Sequence, residues 1–294
     1  MIIIVGCGFL GQYVLKELLT KTNEHILCTY HSAKPKLNFK TDERVQFTKC
    51  DVANVADLQA LGSLCAGETL TVFYFAAYHN MDAVYHHPEE AQTVNVKALK
   101  LLLKTVKNID KLYFSSTDCV YGESREGQAP FRESDTPAPI NEYGRQKAQA
   151  EKIVLEHGHH IFRFSLLYGA SLCEKQTFYD KTVSHLKKGE SVEMIQGLAR
   201  NALPYEKAAQ TVVKLAFGCE NIPQILNIAG DTLLTKYDLG LRIAAAAGAS
   251  RELVKPITEA EGQKFFVEKR ASSIALDNGL LKQTINSNLA HYAR

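Results

Sequence analysis

The chain has 294 residues, of which 46% are hydrophobic and 22% are charged, and its 34 Lys and Arg residues nearly balance its 32 Asp and Glu residues. A net charge of only +2, with no block of like charges, argues against partners such as nucleic acids or anionic membranes. The length suffices for one large α/β domain, or for one domain and a smaller lobe.

The amino terminus and the cysteines indicate a protein of a reducing compartment. The opening residues, MIIIVGCG, reach a glycine turn almost at once and lack a basic segment. No run approaches the ~20 apolar residues of a membrane span. The seven cysteines show no CxxC spacing, as expected for free thiols. We therefore expect a cytoplasmic protein without a signal peptide or membrane anchor.

Short apolar runs alternate with longer amphipathic runs in the first half of the chain. The apolar runs predict β-strands at 2–5, 25–30, 45–49, 70–76, 111–116 and 160–164. The amphipathic runs predict helices at 9–20, 54–65, 83–107 and 141–157. This alternation is typical of an α/β protein, in which helices cover both faces of a parallel sheet.

A glycine motif lies between the first strand and the first helix. Gly6, Gly8 and Gly11 form a GxGxxG pattern, which permits a tight turn and places a pyrophosphate at the helix N-terminus. The predicted fold class is therefore α/β, a Rossmann-type doubly wound parallel sheet with a smaller C-terminal substrate lobe. The sheet is expected to bind a nicotinamide dinucleotide.

The order of elements changes after about residue 165. Helices are predicted at 176–188, 205–217 and 235–247, and short strands at 192–195 and 225–228. We assign residues 1–165 to the dinucleotide-binding domain, to which a segment at about 204–230 returns, and residues 166–294 mainly to the substrate lobe. Residues 122–140, rich in Pro and Gly, are predicted to form a long surface loop of the kind that is usually functional.

The end of the second predicted strand discriminates between the two nicotinamide cofactors. NAD sites place Asp or Glu there, about 20 residues after the glycines. Here the segment CTYHSAKPK offers His31, Ser32 and Lys34 but no carboxylate, so NADP(H) is preferred and NAD(H) is the alternative. Asp51, after the third strand, either accepts a hydrogen bond from the adenine amino group or belongs to the N-terminal cap region of the helix at 54–65.

Tyr143 and Lys147 lie four residues apart on the helix predicted at 141–157, and therefore share one face. A tyrosine with its ordinary pKa of about 10 is a poor acid–base catalyst. A lysine ammonium one turn away stabilises the phenolate, which suits the pair to proton transfer at a substrate oxygen.

These motifs resemble the extended short-chain dehydrogenase/reductases over nearly the whole chain. Besides the glycines, the resemblance rests on FAAYHNMDAVYHHPEEAQTVNV at 75–96, SSTDCVYG at 115–122, ESDTPAPINEYGRQKAQAE at 133–151 and FRFSLLYG at 162–169. The chain departs from the family at Val5, where Gly is usual, and at Leu167 to Ala170, where Asn before Tyr-Gly-Pro is frequent.

The resemblance implies a catalytic triad of Thr117, Tyr143 and Lys147. In the family, Tyr143 would protonate a ketone oxygen as hydride arrives from the nicotinamide, and Thr117 would hydrogen-bond the same oxygen. Lys147 would hold the nicotinamide ribose and lower the pKa of Tyr143. The implied cofactor contacts, besides Tyr143 and Lys147, are Gly6, Gly8, Phe9, Leu10, Gly11, His31, Ser32, Lys34, Asp51, Val52, Ala76, Ala77, Tyr78, Asn95, Ser115, Phe164 and Leu166.

Residues 118 and 119 indicate the branch of the family. Sugar 4,6-dehydratases read Thr-Asp-Glu at this point, and Cys119 replaces the Glu that acts as their elimination base. The chain is more similar to the dTDP-4-dehydrorhamnose reductases, also at 226–248 and 268–285. The resemblance implies an NADPH-dependent reductase of a keto group on a nucleotide-linked sugar, such as a 4-keto-6-deoxyhexose.

Two alternatives stay open. The GDP-fucose synthases carry a Cys at position 119 that works with a distant His, so an epimerase or epimerase/reductase would use Cys119, with Asp118 as a further candidate and His185 as the possible partner. Some relatives of the rhamnose reductases are regulatory subunits, such as the β subunit of methionine adenosyltransferase, which implies an NADP-binding protein without turnover. A homodimer is usual in the family. The histidine clusters at 86–87 and 157–160 lack further ligands at metal-binding spacing, so no metal is expected.

Overall fold

The computed structural model describes the backbone of residues 1–292 and the side chains of residues 1–288. The strands, in chain order, are β1 (Ile2–Val5), β2 (Ile26–Tyr30), β3 (Val45–Lys49), β4 (Leu70–Tyr74), β5 (Ile109–Thr117), β6 (His160–Phe164), β7 (Leu167–Tyr168), β8 (Val192–Ile195), β9 (Ala199–Arg200), β10 (Leu203–Pro204), β11 (Ile225–Ile228), β12 (Val254–Ile257) and β13 (Ser273–Ile274). The α-helices are α1 (Phe9–Lys21), α2 (Val55–Leu64), α3 (Met81–His86), α4 (Pro88–Gln92), α5 (Ala98–Thr105), α6 (Glu142–Glu156), α7 (Phe178–Lys187), α8 (Tyr205–Gly218), α9 (Lys236–Ala247), α10 (Glu259–Gln263) and α11 (Gly279–Tyr292).

Seven strands form one parallel sheet in the order β11-β6-β5-β4-β1-β2-β3. The side chains of β1 alternate between its faces, as the period of a strand requires. Ile2 and Ile4 pack with α1 and α8, whereas Ile3 and Val5 pack with α2, α5 and α6. The predicted α/β fold class is therefore confirmed. The strand order reverses at β1, so the carboxyl ends of β1 and β4 flank the crevice in which such sheets bind ligands.

The helix predicted over 83–107 is interrupted. Its first turns form α3 and α4, which are separated at His87, and residues Thr93–Lys97 form a π-helical turn before α5. Pro88 begins α4 because a proline has no amide hydrogen to continue the preceding helix. Single π-helical turns are frequent at functional sites, and this turn contains Asn95.

The second half of the chain builds a smaller lobe and completes the sheet. In the lobe, β8 pairs with β12, and Leu186, Met194, Ile243 and Val254 form its core with their neighbours. Meanwhile α8 packs against α1, and β11 pairs with β6 at the edge of the central sheet. The elements β12, α10 and α11 are not among the predicted ones, and α10 is only five residues long.

The segment 122–140 is not wholly a surface loop, which corrects the prediction. Phe131 is buried, and its ring stacks on Tyr121 with the ring centroids 4.9 Å apart. The Phe131 amide donates to the carbonyl of Ala275, and its carbonyl accepts from the amide of Asp277, both at 2.8 Å. An apolar side chain therefore anchors a segment whose composition is that of a solvated loop.

Within residues 1–292, no helix combines the length and apolar character that crossing a membrane requires. Among the side chains of residues 1–288, no group of three or more His, Cys, Asp and Glu residues is arranged to hold a metal ion. All seven cysteines are free thiols, and six of them are buried.

Candidate active site

The glycine motif forms a cradle at the carboxyl end of β1. Gly6 has φ of +89°, and a Cβ there would lie 2.7 Å from the Ala76 amide nitrogen. A Cβ at Gly11 would lie 2.8 Å from the Gly6 carbonyl oxygen. A Cβ at Gly8 would meet no atom within 4 Å, so this glycine borders open space. Gly6 and Gly11 therefore serve close packing, whereas Gly8 keeps room for a ligand.

The cradle is held from β2 and is open to an anion. The Gly6 amide donates to Thr29 Oγ1 at 2.9 Å, and the Cys7 amide donates to the Thr29 carbonyl at 2.8 Å. Gly8 is the N-cap of α1, where no side chain caps the helix and no acidic residue occupies the first turn. A helix N-terminus with free amides attracts phosphate, so this cradle fits the diphosphate of a dinucleotide. Phe9 and Leu10 begin the helix directly beneath it.

The residues predicted to hold the adenosine end gather beyond β2. His31, Ser32 and Lys34 are exposed, and His31 Nε2 lies 3.9 Å from Asp51 Oδ2. Asp51 Oδ1 accepts a hydrogen bond from the Ala53 amide at 2.9 Å.

Asp51 lies in the N-terminal cap region of α2 without being its N-cap: its amide donates to Asp57 Oδ2 at 2.8 Å, and its carbonyl accepts from the Asn54 amide at 2.9 Å. The N-cap of α2 is Asn54, whose side chain accepts from the amides of Ala56 and Asp57. Val52, in the same turn, is buried.

Asn95 positions the chain after β4. Its Oδ1 accepts from the Tyr78 amide at 2.8 Å, and its Nδ2 donates to the Tyr78 carbonyl at 3.1 Å and to Gln146 Oε1 at 2.9 Å. Because protein groups occupy both ends of this buried amide, we assign Asn95 to support of Ala76, Ala77 and Tyr78 rather than to a cofactor contact.

Helix α6 lies directly on the turn that follows β5. Asn141 caps the helix by accepting from the Gly144 amide at 2.8 Å. A Cβ at Gly144 would lie only 2.5 Å from the Cys119 carbonyl oxygen. The absence of a side chain at Gly144 thus lets α6 approach closely, and Tyr143 packs against the apolar cluster that contains Cys119. Thr117, Tyr143 and Lys147 are thereby brought to the same end of the sheet.

The environments of Tyr143 and Lys147 shift their pKa values in opposite directions. Burial raises the pKa of Tyr143, and the nearby Cys119 and Asp118 raise it further. The phenol therefore keeps its proton at neutral pH in the free protein. Burial lowers the pKa of Lys147 to about 7, an effect that Glu151 opposes. The Lys147 ammonium lies 3.9 Å from the centroid of the Phe114 ring.

Thr117, Asp118 and Cys119 have distinct contacts. Thr117 Oγ1 donates to Asp118 Oδ1 and accepts from the Cys119 amide, both at 3.2 Å. Asp118 Oδ2 lies 3.4 Å from Arg200 Nε and accepts from Ser165 Oγ at 3.4 Å. Asp118 is therefore ion-paired to an arginine of β9, a residue that the sequence patterns did not single out.

The Cys119 thiol is poorly suited to acid–base chemistry. Burial, with Asp118, raises its pKa to about 12, so the thiolate is scarce at neutral pH. His185, proposed as its partner, is exposed on α7, and its Nδ1 lies 2.5 Å from Glu190 Oε2. Cys119 is buried and His185 contacts a different group, so the structure does not bring the two together.

A small cleft of about 70 Å³ opens beside this site in the lobe. Its lining includes Leu166, Tyr168, Phe178, Tyr205 and Lys236. Burial lowers the pKa of Lys236 to about 8; the nearby Arg200 lowers it further, while Asp118 opposes both effects.

Arg200 is therefore ion-paired to Asp118, and Lys236, which lines the cleft, is close enough for both of these charges to influence its pKa. Of the remaining predicted contacts, Ser115 is partly exposed on β5, and Phe164 is buried at the end of β6.

The family described as RmlD substrate binding domain matches residues 1–294. Among curated proteins, "Methionine adenosyltransferase 2 subunit beta" of Bos taurus is 26% identical over 267 residues, which cover 88% of this chain and 75% of that protein. "Probable low-salt glycan biosynthesis reductase Agl14" of Haloferax volcanii is 26% identical over 294 residues, which cover 96% of this chain and 93% of that protein.

Solved structures share the fold at lower identity. A hypothetical dTDP-4-dehydrorhamnose reductase from Sulfolobus tokodaii superposes with a TM-score of 0.77 at 23% identity, covering 96% of this chain and 93% of that one. The Thermus thermophilus UDP-glucose 4-epimerase complex with NAD superposes with a TM-score of 0.80 at 20% identity, covering 100% of this chain and 94% of that one. At these identities the likeness shows the fold.

Proposed function

Because the chain belongs to the RmlD substrate binding domain family, among the extended short-chain dehydrogenase/reductases that its motifs resemble, we propose that it is an NADPH-dependent reductase of a keto group on a nucleotide-linked sugar. The observation that carries the proposal is that α6 packs Tyr143 against the turn after Thr117 and Lys147 against Phe114 of β5, in a sheet whose first strand ends in an open glycine cradle. A 4-keto-6-deoxyhexose is the substrate type that this proposal favours.

The side chains of the triad suit ketone reduction. Tyr143 enters the reaction protonated, because burial raises its pKa, and it donates that proton to the ketone oxygen. The Thr117 hydroxyl makes two long hydrogen bonds of 3.2 Å, donating to Asp118 Oδ1 and accepting from the Cys119 amide, so it can turn to the same oxygen. When bound, the nicotinamide would supply the hydride. The Lys147 ammonium stabilises the phenolate that remains and would hold the nicotinamide ribose.

The cradle and the exposed group after β2 support the choice of cofactor. The open N-terminus of α1 would hold the diphosphate, and Gly8 leaves space for it. His31, Ser32 and Lys34 are exposed, which suits them to meet a 2′-phosphate. The ratio of the Michaelis constants for NADPH and NADH tests this preference, and a strong preference for NADH would contradict it.

The cleft in the lobe supports an activated sugar as substrate. Arg200 and Lys236 carry more positive charge than Asp118 neutralises, which suits an anionic phosphate group. The aromatic rings of Tyr168, Phe178 and Tyr205 beside them suit the apolar faces of a nucleoside or a sugar ring.

The decisive experiment compares wild type with Tyr143→Phe. NADPH oxidation is measured against a panel of nucleotide-linked keto-sugars, and NADPH binding is measured by fluorescence. The variant is expected to bind NADPH normally but to lose about 10²–10⁴-fold in turnover, the usual contribution of a general acid.

Tyr113→Phe is the matched control. The Tyr113 hydroxyl is buried and makes no hydrogen bond to any residue that the structure describes, so its removal should leave turnover unchanged. Near-wild-type activity of Tyr143→Phe would overturn the assignment of the proton donor.

A second candidate function is regulatory, and the 26% identity to methionine adenosyltransferase 2 subunit beta favours it. Such a subunit would bind NADP(H) tightly without turning over any keto-sugar of the panel. The epimerase alternative has less support, because the Cys119 thiol is protonated at neutral pH and lacks a contact with His185. The homodimer, the cytoplasmic location and the division into domains stay predictions.

A further inference from the structure

A buried ion pair lies beneath the triad and takes no direct part in the proposed reaction. Glu151 is only 3% exposed and Arg163 only 2%. The guanidinium donates Nε to Oε1 at 3.0 Å and Nη2 to Oε2 at 2.7 Å, so the pair is bidentate. Ser116 Oγ also donates to Glu151 Oε1, at 2.5 Å. The carboxylate therefore joins α6 to both β5 and β6.

The network continues to the turn after Thr117. Arg163 Nη1 donates to the Tyr121 hydroxyl at 2.7 Å, and this hydroxyl donates to Asn227 Oδ1 at 2.8 Å. The guanidinium carbon also lies 4.7 Å from the centroid of the Tyr121 ring. Glu151 thus anchors the strand end that carries Thr117 from both sides, through Ser116 before it and through Tyr121 after it.

Glu151 also lies one helical turn beyond Lys147, on the same face of α6. Phe114 and Ser116, alternate residues of β5, both face this helix, because Phe114 contacts the Lys147 ammonium and Ser116 contacts Glu151. The ammonium is 2% exposed, and Glu151 is the charge that opposes the effect of burial upon it. The elements packed against α6 carry these other ionisable groups: Asp82, Tyr85 and His86 of α3, Glu89 and Glu90 of α4, Lys97 of the π-helical turn, Lys100 and Lys104 of α5, Asp110, Lys111 and Tyr113 of β5, Asp118 and Cys119 of the following turn, His160 and Arg163 of β6, and Glu268 beyond α10.

Stability alone is a weak reason for this arrangement. Burying two charges costs free energy that their attraction only partly offsets, and well-packed apolar residues often serve as well. An apolar substitute would leave Lys147 without a negative charge one turn away. The pair therefore has a use that an apolar contact could not supply.

We propose that Glu151 is a positioning residue of the reductase site: clamped by Arg163 and Ser116, its carboxylate holds α6 against the end of β5 and keeps Lys147 charged beside Tyr143. The inference rests on the proposed function, which gives Lys147 its catalytic role. Its physical content, the charge state of Lys147, can be measured without substrate or cofactor.

The test is the pKa of Lys147, measured by NMR on the free protein with ¹³C-labelled lysine, with the Lys147→Met spectrum used for assignment. Glu151→Gln keeps the size of the side chain and removes the charge, and it should lower the Lys147 pKa by about one unit or more, at least tenfold in proton affinity. Glu151→Asp keeps the charge and should leave the value near that of wild type.

Two further variants separate charge from structural damage. Glu133→Gln alters a carboxylate that bonds the Asn227 amide at 2.9 Å, on the far side of the same network, and should not move the Lys147 pKa. If Glu151→Gln does not fold because Arg163 loses its partner, the double variant Glu151→Gln/Arg163→Met removes both charges and should show the same lowered value.

An unchanged Lys147 pKa in the folded glutamine variants would overturn the inference, as would an equal shift in Glu133→Gln. Measuring the reduction of keto-sugars, as kcat/KM, alongside the Lys147 pKa separates the inference from the proposed function. A shifted Lys147 pKa in a protein that reduces no keto-sugar would uphold the role of Glu151 and contradict the reductase. Turnover by wild type with an unmoved Lys147 pKa would do the reverse.

Discussion

Three consecutive side chains at the end of β5, Thr117, Asp118 and Cys119, face different surroundings. The Thr117 hydroxyl is weakly bonded and available, Asp118 is ion-paired to Arg200, and Cys119 is enclosed. Their types and spacing could be interpreted from the sequence, because a strand end and a short motif are local features. The Arg200 partner could not be foreseen, because it comes from a distant segment that no local pattern connects to this strand.

At the residue scale, we predict that Cys119→Ala retains ketone reduction at close to the wild-type rate. The reason is that a thiol with a pKa of about 12 supplies almost no thiolate at neutral pH. The same property should make Cys119 slow to react with iodoacetamide at pH 7. The measurements are kcat/KM with a keto-sugar and the labelling of Cys119 followed by mass spectrometry.

Cys173 provides the control for the labelling, because it is partly exposed and should react first. A Cys173→Ser background removes that signal and isolates the buried thiols. Rapid alkylation of Cys119 at pH 7, or loss of turnover in Cys119→Ala, would favour the epimerase alternative instead.

At the scale of elements, the placement of α6 on the turn after β5 decides the site. The helix and its Tyr–Lys spacing could be predicted from an amphipathic run. How closely the helix approaches the turn after β5, however, depends on Gly144. That glycine has helical neighbours and no special φ, so nothing in the local pattern marks it. The tertiary structure explains why this residue is glycine, because a Cβ at Gly144 would lie only 2.5 Å from the Cys119 carbonyl oxygen.

Gly144→Ala is therefore expected to lower both stability and turnover, although every member of the triad is still present. Overpacking of this kind typically costs about 1–3 kcal/mol, and the displaced helix should move Tyr143 away from Thr117. Thermal unfolding and kcat measure the two effects.

Gly62→Ala on α2 is the matched control. Its Cβ would lie 3.4 Å from the nearest atom, the Thr105 carbonyl oxygen, so the substitution should gain up to about 1 kcal/mol from helix propensity. A Gly144→Ala protein as active and as stable as wild type would show that α6 tolerates a looser fit.

The cradle permits a second prediction at this scale, because its glycines differ in what surrounds them. Gly8→Ala should leave the melting temperature almost unchanged but weaken NADPH binding, since its methyl group enters the open space above α1. Gly6→Ala should destabilise the fold itself, because a φ of +89° and a contact of 2.7 Å with Ala76 both oppose a side chain. Fluorescence titration with NADPH and thermal unfolding distinguish the two outcomes. Equal effects of the two substitutions on stability would contradict this division of roles.

At the scale of the whole molecule, the site lies where the lobe meets the sheet. The Asp118–Arg200 pair crosses this boundary. A second set of contacts joins the connection after β2 to the chain after β7. There the Asn38 amide donates to the Leu172 carbonyl at 2.9 Å, and Lys36 Nζ lies 3.3 Å from Glu174 Oε1. Charged and backbone groups thus link the lobe to the central sheet and its connections.

The cost of burying Lys147 should appear in the stability of the free protein. Its pKa is about 7 when folded and 10.5 ordinarily. Below pH 7 both states are protonated, and the cost of the buried ammonium is complete. As pH rises from 7 to 10.5, the folded state releases the proton and the unfolded state keeps it, so this cost declines.

The free energy of unfolding of Lys147→Met should accordingly exceed that of wild type by roughly a few kcal/mol at pH 7 or below. This difference should shrink toward pH 10. Urea unfolding of both proteins, at several pH values from roughly 6 to 10, measures this difference in the free energy of unfolding directly. Lys181→Met, at an exposed lysine of α7, is the control. A difference between Lys147→Met and wild type that does not vary with pH would contradict the buried, weakly basic lysine.

The sequence by itself determined the central sheet, the glycine cradle and the Tyr143–Lys147 pair. These depend on hydrophobic period, on turn-forming glycines and on i,i+4 spacing, which are properties of neighbouring residues. The break of the long helix at Pro88 departed from prediction although its cause is local, a proline without an amide hydrogen. The anchoring of the 122–140 segment by Phe131 departed from prediction because it depends on tertiary contacts.

Only the tertiary structure decided which partners surround the triad. Arg200 pairs with Asp118 from the lobe, and Glu151 meets Arg163 beneath Lys147. Burial and charges from distant segments set the protonation of Tyr143, Lys147 and Cys119, and the energy of such interactions depends on distance in space rather than on separation along the chain.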